Sequence, residues 1–263
     1  AEQNMIGVSS GLSLSGKIVY CYGISPFVSL KVLEQISLDL AAIGSNVNIV
    51  SVGAGFTYAT DGPSHHGLQD LSAVLSTPNI TILNSSDPKS TQAFAKIATR
   101  QNGPKYIRIE KGALPLLERD NHEDFSRGVS EIKKGDDLKI IASGSIVHEA
   151  LKAAKIIEGE LNLHVGVIDL YRVKPLPEIF LIDLLKNSKK IITLEEGYFA
   201  VIKYSGRVTK KNFNKHMKIL KKNLIEDKIE IIGSAIQAIY NGPFTLPILR
   251  RNEAMFRVNW KKL

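Results

Sequence analysis

Short β-branched runs alternate with stretches of helical periodicity along the first two hundred residues, and this rhythm sets the fold class. The runs Ile18 to Tyr22, Val47 to Val52, Ile80 to Leu83 and Tyr106 to Ile109 are too short for helices and read as buried parallel strands. Between the first two, Phe27, Leu30, Leu33, Ile36, Leu40 and Ile43 recur at helical spacing, with Pro26 suited to the first turn and Gly44 to the stop. Asp87 and Pro88 open another helix: the carboxylate can cap free amides, the proline gives up no hydrogen bond there, and Phe94, Ile97 and Ala98 face inward. Gly112 to Lys134 interrupts the rhythm with Pro115 and a charge-dense stretch from Glu118 to Lys134. A second series follows, with strands at 138–142, 164–170 and 190–194 and helices at 146–157 and 177–185. The pattern predicts an α/β protein of two consecutive open parallel-sheet domains, residues 1–117 and 137–263, joined by a linker at 118–136. Past Gly197 the signal thins to a Lys- and Asn-rich helical stretch and one short strand, Ile229 to Ile232.

Composition narrows the class. A chain of 263 residues that is 44% hydrophobic can bury two cores. No apolar run approaches the roughly 20 residues needed to span a bilayer, and the N-terminus lacks a basic, hydrophobic, small-residue signal. A cytoplasmic location is the default expectation. The single Cys21 lies inside a strand pattern and reads as a small hydrophobe. A net charge of +8 would suit nucleic acid or a phosphorylated small molecule. The basic excess falls late, however, and lacks the aromatic interleaving or zinc spacing of a nucleic-acid module. Lys210, Lys211, Lys215, Lys218, Lys221 and Lys222 are read as a solvated helix face.

Candidate chemistry concentrates in three places: Ala1-Glu2-Gln3-Asn4-Met5, Ser25-Pro26-Phe27, and Asp61-Gly62-Pro63-Ser64-His65-His66. The third packs a carboxylate and two imidazoles around a Gly-Pro turn beyond a strand end, where open α/β proteins place their sites. Pattern alone leaves bland readings open: a solvated terminal residue for Glu2, helix-start packing for Phe27, a helix-capping turn for the loop.

In this order and at these spacings the three segments resemble the pyrimidine-binding domain of the transketolase family, including its split, two-chain members. Deoxyxylulose-phosphate synthases and ketoacid dehydrogenase β subunits are related. The second series is similar to the transketolase C-terminal domain through Val167-Ile168-Asp169-Leu170, Lys174-Pro175-Leu176 and Thr193-Leu194-Glu195-Glu196. The resemblance implies thiamine diphosphate as cofactor, with magnesium. Glu2 matches the glutamate that hydrogen-bonds the cofactor's pyrimidine, and a dry pocket would raise its pKa. Phe27 matches the aromatic that stacks on that ring. Asp61 and His65 match the pair that reaches the sugar donor, with His66 read as a structural neighbour. Lys111, or its neighbour Arg108, stands where the family carries a substrate-phosphate arginine. Gly53, Ala54 and Gly55 occupy a stretch where true transketolases present a substrate-facing histidine, so pentose-phosphate specificity does not carry over.

The family's Gly-Asp-Gly diphosphate motif has no counterpart, and no His, Cys or carboxylate cluster has metal-site spacing. The resemblance therefore implies a partner chain, a diphosphate-binding subunit of transketolase N-terminal type, in a hetero-oligomer. The pyrimidine domain's first strand and helix are also expected to be missing ahead of Ala1. The activity implied is transfer of a two-carbon ketol unit between sugars, with a deoxyxylulose-phosphate synthase-like or ketoacid dehydrogenase β-like component on the same scaffold as the alternative. A non-catalytic assembly subunit is the reading from another class.

Overall fold

Four of the β-branched runs become one parallel sheet, built from β1 (Val19–Ile24), β2 (Val47–Val52), β3 (Thr81–Asn84) and β4 (Lys105–Ile109) in the order β1-β2-β4-β3. The structure, a computed structural model, describes all residues except 56, 59, 60, 62, 121, 122, 195–198, 205–208, 227–229, 240–251 and 260–263. Strands β2 and β4 are buried at nearly every position, which explains continuous apolar runs in place of alternation. Helix α1 (Glu2–Leu14) precedes the sheet and buries Ile6, Ser9 and Ser10, with Ser10 donating to the Asp39 carbonyl at 2.7 Å.

The helical stretch after Phe27 is less regular than its periodicity predicts. A 3-10 turn at Leu30–Val32 leads into α2 (Leu33–Gln35) and a π-helical segment, Ile36–Ala41. Val28, Val32, Ile36 and Leu40 are fully buried, whereas Leu30 and Ile43, expected inside, are 42% and 53% exposed. The wider π turn keeps a strict four-residue repeat on one face. Helix α3 (Asp70–Leu75) follows β2, and α4 (Pro88–Arg100) follows β3. The cap expected at Asp87 is present as a reciprocal capping box, with Asp87 Oδ1 accepting from Ser90 N at 2.8 Å and the Ser90 hydroxyl accepting from Asp87 N at 3.1 Å.

A second sheet is formed by β5 (Ser130–Asp136), β6 (Leu138–Ala142) and β7 (Val165–Asp169), with α5 (Ile146–Leu161) packed on it through Val147, Ala150 and Ala154. The linker expected at 118–136 is thereby corrected: its last seven residues are β5, paired antiparallel with β7. Its first part is mostly exposed but anchored by Arg119, whose side chain is fully buried. The next strand, β8 (Arg172–Lys174), returns to the first sheet and pairs antiparallel with the edge of β3. After α6 (Glu178–Leu185), strand β9 (Ile191–Thr193) closes the second sheet in the order β5-β7-β6-β9. Both sheets are thus mixed at one edge, where all-parallel sheets were expected. This crossing-over makes residues 1–195 a single compact unit.

Residues 196–263 form a separate unit, so the parallel domain expected to run from 137 to 263 stops near Glu195. Strands β10 (Phe199–Tyr204), β11 (Glu230–Ile239) and β12 (Asn252–Asn259) make an antiparallel sheet in the order β10-β12-β11. Within that unit α7 (Lys210–Glu226) buries Leu220 and Leu224 and exposes its six lysines. The strand expected from Ile229, itself outside the described residues, runs Glu230–Ile239. No helix among the described residues is long and apolar enough to cross a membrane.

Candidate active site

The turn after β1 is locked by its own polar atoms. Ser25 N donates to the Val52 carbonyl and Phe27 N to the Ile24 carbonyl, both at 2.9 Å, which fixes Phe27 at the carboxyl end of the parallel strands. Beneath it runs a buried polar chain: Ser25 Oγ lies 2.7 Å from Ser51 Oγ, and Ser51 Oγ lies 2.7 Å from the Tyr106 hydroxyl. That hydroxyl donates to Asp70 Oδ2 at 2.9 Å, and burial together with the Asp70 charge pushes its pKa well up. Arg108 completes the chain, donating from Nε to Asp70 Oδ2 at 2.8 Å and from Nη2 to the Gly67 carbonyl at 2.8 Å.

This arrangement corrects the role expected for Arg108. Its side chain is 4% exposed and committed to Asp70, so it holds a loop and does not face solvent as a phosphate ligand. The loop is the one carrying Asp61 and His65. Gly55 and Gly67 exchange backbone hydrogen bonds of 2.9 Å, folding the loop back on itself. Gly53 has φ +90°, and a Cβ there would collide with the Tyr58 ring. Tyr58 can cross this point only because position 53 has no side chain.

The loop delivers His65 to Phe27, with ring centroids 5.0 Å apart and planes at 76°. His65 Nδ1 lies 3.0 Å from Ser64 Oγ. Tyr58 is the next ring, 6.3 Å from His65, and Lys111 Nζ sits 4.1 Å from the Tyr58 centroid. Asp61 is exposed on the same loop and makes no described hydrogen bond to His65; Gly62 of its turn lies outside the described residues, as do Glu195 and Glu196.

Glu2 reaches the site from the first turn of α1, through a residue not singled out by motif. Lys31 donates to Glu2 Oε2 at 2.5 Å, and the same ammonium is 5.9 Å from the Phe27 centroid. The ion pair with Lys31 holds the Glu2 carboxyl below the usual carboxylate range, the reverse of the raised value expected from a dry pocket. Lys31 was legible in principle, since it stands four residues after Phe27 on a helical face. Tyr58 and the Ser25–Asp70 chain carried no such signal. Among the described residues no three His, Cys, Asp or Glu side chains are grouped to hold a metal.

The transketolase pyrimidine-binding domain profile matches residues 1–116, and the transketolase C-terminal domain profile matches residues 128–201. A different profile, that of the SOUL heme-binding protein, matches residues 183–257. One of the subunits of an apulose-4-phosphate transketolase, from Phocaeicola vulgatus, is 32% identical over 197 residues, covering 74% of this chain and 63% of the relative. Human transketolase is 30% identical over 205 residues, 76% of this chain and 32% of the relative. A solved structure described as a split gene transketolase, an inactive beta4 tetramer, superposes with TM-score 0.67 at 30% identity, covering 74% of this chain and 63% of that one. The chain thus spans a little under two thirds of the split-enzyme relatives it matches. With Glu2, Phe27 and His65 gathered in the part of the chain that matches the pyrimidine-binding profile, residues 1–116, and residues 128–201 matching the C-terminal profile, the chain belongs to the transketolase family.

Proposed function

We propose that this chain is one subunit of a two-chain, thiamine diphosphate-dependent transketolase that moves a two-carbon ketol unit between sugars. The observation that carries the reading is the meeting of Glu2, Phe27 and His65 at the carboxyl end of the first sheet. A carboxyl, a flat apolar ring and an imidazole are the groups an aminopyrimidine and a neighbouring hydroxylated substrate require, so the residues present fit that end of the cofactor. Its diphosphate and magnesium would be held by a partner subunit.

When bound, the cofactor supplies a nucleophilic thiazolium carbon. Glu2 holds a proton against the pyrimidine ring nitrogen, which requires the carboxyl to be released from Lys31. Phe27 covers one face of the ring and excludes water from it. His65 presents Nε2 to a substrate hydroxyl and exchanges its proton, while Asp61 accepts from a second hydroxyl on the exposed side of the loop. Lys111, steadied by Tyr58, offers a cation for a phosphate or other anionic end of the sugar. The matched split enzymes are named for a sugar phosphate and, in Clostridium sp., for a sulfosugar, which favours an anionic sugar here.

The test is co-purification with candidate diphosphate-binding subunits, followed by cofactor retention and ketol-transfer assays. The assembled enzyme should retain thiamine diphosphate, and Glu2→Gln should lower turnover by about 10²–10⁴-fold. Full activity in Glu2→Gln, or no retention with any partner, would instead support an assembly subunit without chemistry.

A further inference from the structure

Three polar side chains converge around one aromatic ring at the pyrimidine end of the site. Glu2 enters from α1, Lys31 from the irregular helix, and His65 from the folded loop; Phe27 is the ring they share. A heterocycle stacked on Phe27 and hydrogen-bonded to Glu2 must lie between the two. The Lys31 ammonium now bridges that interval, 2.5 Å from the carboxylate and 5.9 Å from the ring centroid.

We propose that Lys31 is a latch: its ammonium closes Glu2 over Phe27 in the cofactor-free chain, and binding of the pyrimidine displaces it. The inference rests on the functional reading above and adds to it a residue whose present position is incompatible with the loaded state. Three properties suit Lys31 to this role. Its side chain is half exposed, so the ammonium has water to move into. Its stem has four rotatable bonds, so it can leave without moving the backbone. The pair it makes with Glu2 is itself partly exposed, and such pairs are weak enough for a ligand to break. Until the latch opens, Glu2 is an ionised acceptor and cannot donate to a ring nitrogen. Opening it removes the neighbouring cation and hands the carboxyl to the heterocycle. Lys31 is therefore a positioning residue that acts through Glu2.

The experiment compares the full chain with Lys31→Met and with Lys31→Gln, both of which keep the stem packing and remove the charge. First, the Glu2 side-chain carboxyl is titrated by ¹³C NMR in the chain alone, where loss of the latch should raise its pKa toward the ordinary value. Second, thiamine diphosphate is titrated into the chain assembled with its co-purifying diphosphate-binding subunit. Both variants should bind it about two- to fivefold more tightly than the unaltered protein, the range expected for releasing one exposed ion pair. Equal or weaker binding by the variants overturns the latch while leaving the cofactor assignment standing. Binding by none of the three overturns the cofactor assignment and the latch together, and an unmoved Glu2 pKa overturns the ion pair on which the latch depends.

Discussion

Arg108 shows how a single residue can carry a plausible chemical role in sequence and a different one in space. Read along the chain, an arginine one turn from Lys111 at a strand end is a fair phosphate ligand; in the fold, Asp70 claims it from 38 positions away. Nothing local in either residue announces the partnership, because α3 and β4 meet only once the sheet has formed. The pair is buried on both sides, so its energetics are those of an interior ion pair. Replacing Asp70 by Ala should cost about 3–5 kcal/mol in urea unfolding, since it strands a buried guanidinium. It should also loosen the His65 loop through Gly67, visible as faster amide exchange across residues 64–67. Arg108→Lys should weaken substrate binding far less than Lys111→Ala if Arg108 acts only on the loop. Glu2, Phe27 and His65 were legible because their motif order survives any rearrangement between them. The ionisation of Glu2 was not, since it depends on where Lys31 ends up.

At the scale of elements, the parallel core was readable because fully buried strands are uninterrupted apolar runs, and the capped start of α4 because Asp-Pro followed by an amphipathic stretch has few other meanings. Four strands escaped, β10 and β12 in the second unit and β5 and β8 in the first. The sequence Ser-Glu-Ile-Lys-Lys-Gly-Asp of β5 lies on a sheet edge, half exposed, where charge is tolerated and hides the pattern. The three residues of β8 are too short to show any period. The 53–67 loop depends on backbone geometry that composition only hints at. Gly53→Ala would force a Cβ into the Tyr58 ring at a backbone angle that L side chains rarely adopt. The expected cost is about 1–3 kcal/mol by chemical denaturation, and the NMR cross-peaks between the Phe27 and His65 rings should disappear.

Across the whole molecule, the first 195 residues hold twenty lysines and arginines against twenty-one carboxylates, whereas the last 68 hold fourteen against five. The entire basic excess therefore belongs to residues 196–263, most of which the SOUL heme-binding protein profile matches. Within the first unit, the two sheets are joined by a buried cluster. Arg119 donates to Asp169 at 2.5 Å, to Asp87 at 3.2 Å and to Glu123 at 3.1 Å, and Ser86 donates to Asp169 as well. Burial outweighs Arg119 and pushes Asp169 up to about 6. A carboxyl whose folded pKa lies above its unfolded one stabilises the protein fully only below the ordinary 3.8, and that contribution is lost as pH rises through about 6. The stability of the unaltered protein relative to Asp169→Asn should accordingly fall by up to about 3 kcal/mol from pH 4 to pH 7, measured by urea unfolding at each pH.

The return of β8 to the first sheet has a further consequence for how such a chain can be rearranged. Cutting near residue 118 would strip a strand from β3, leave an open edge, and divide the Arg119 cluster between two fragments. Cutting near Glu195 breaks no strand pairing in either sheet. That seam lies inside residues 183–201, the stretch both profiles match, and gene fusions or engineered chimeras of this scaffold should tolerate a seam near Glu195 and fail at the apparent domain boundary upstream.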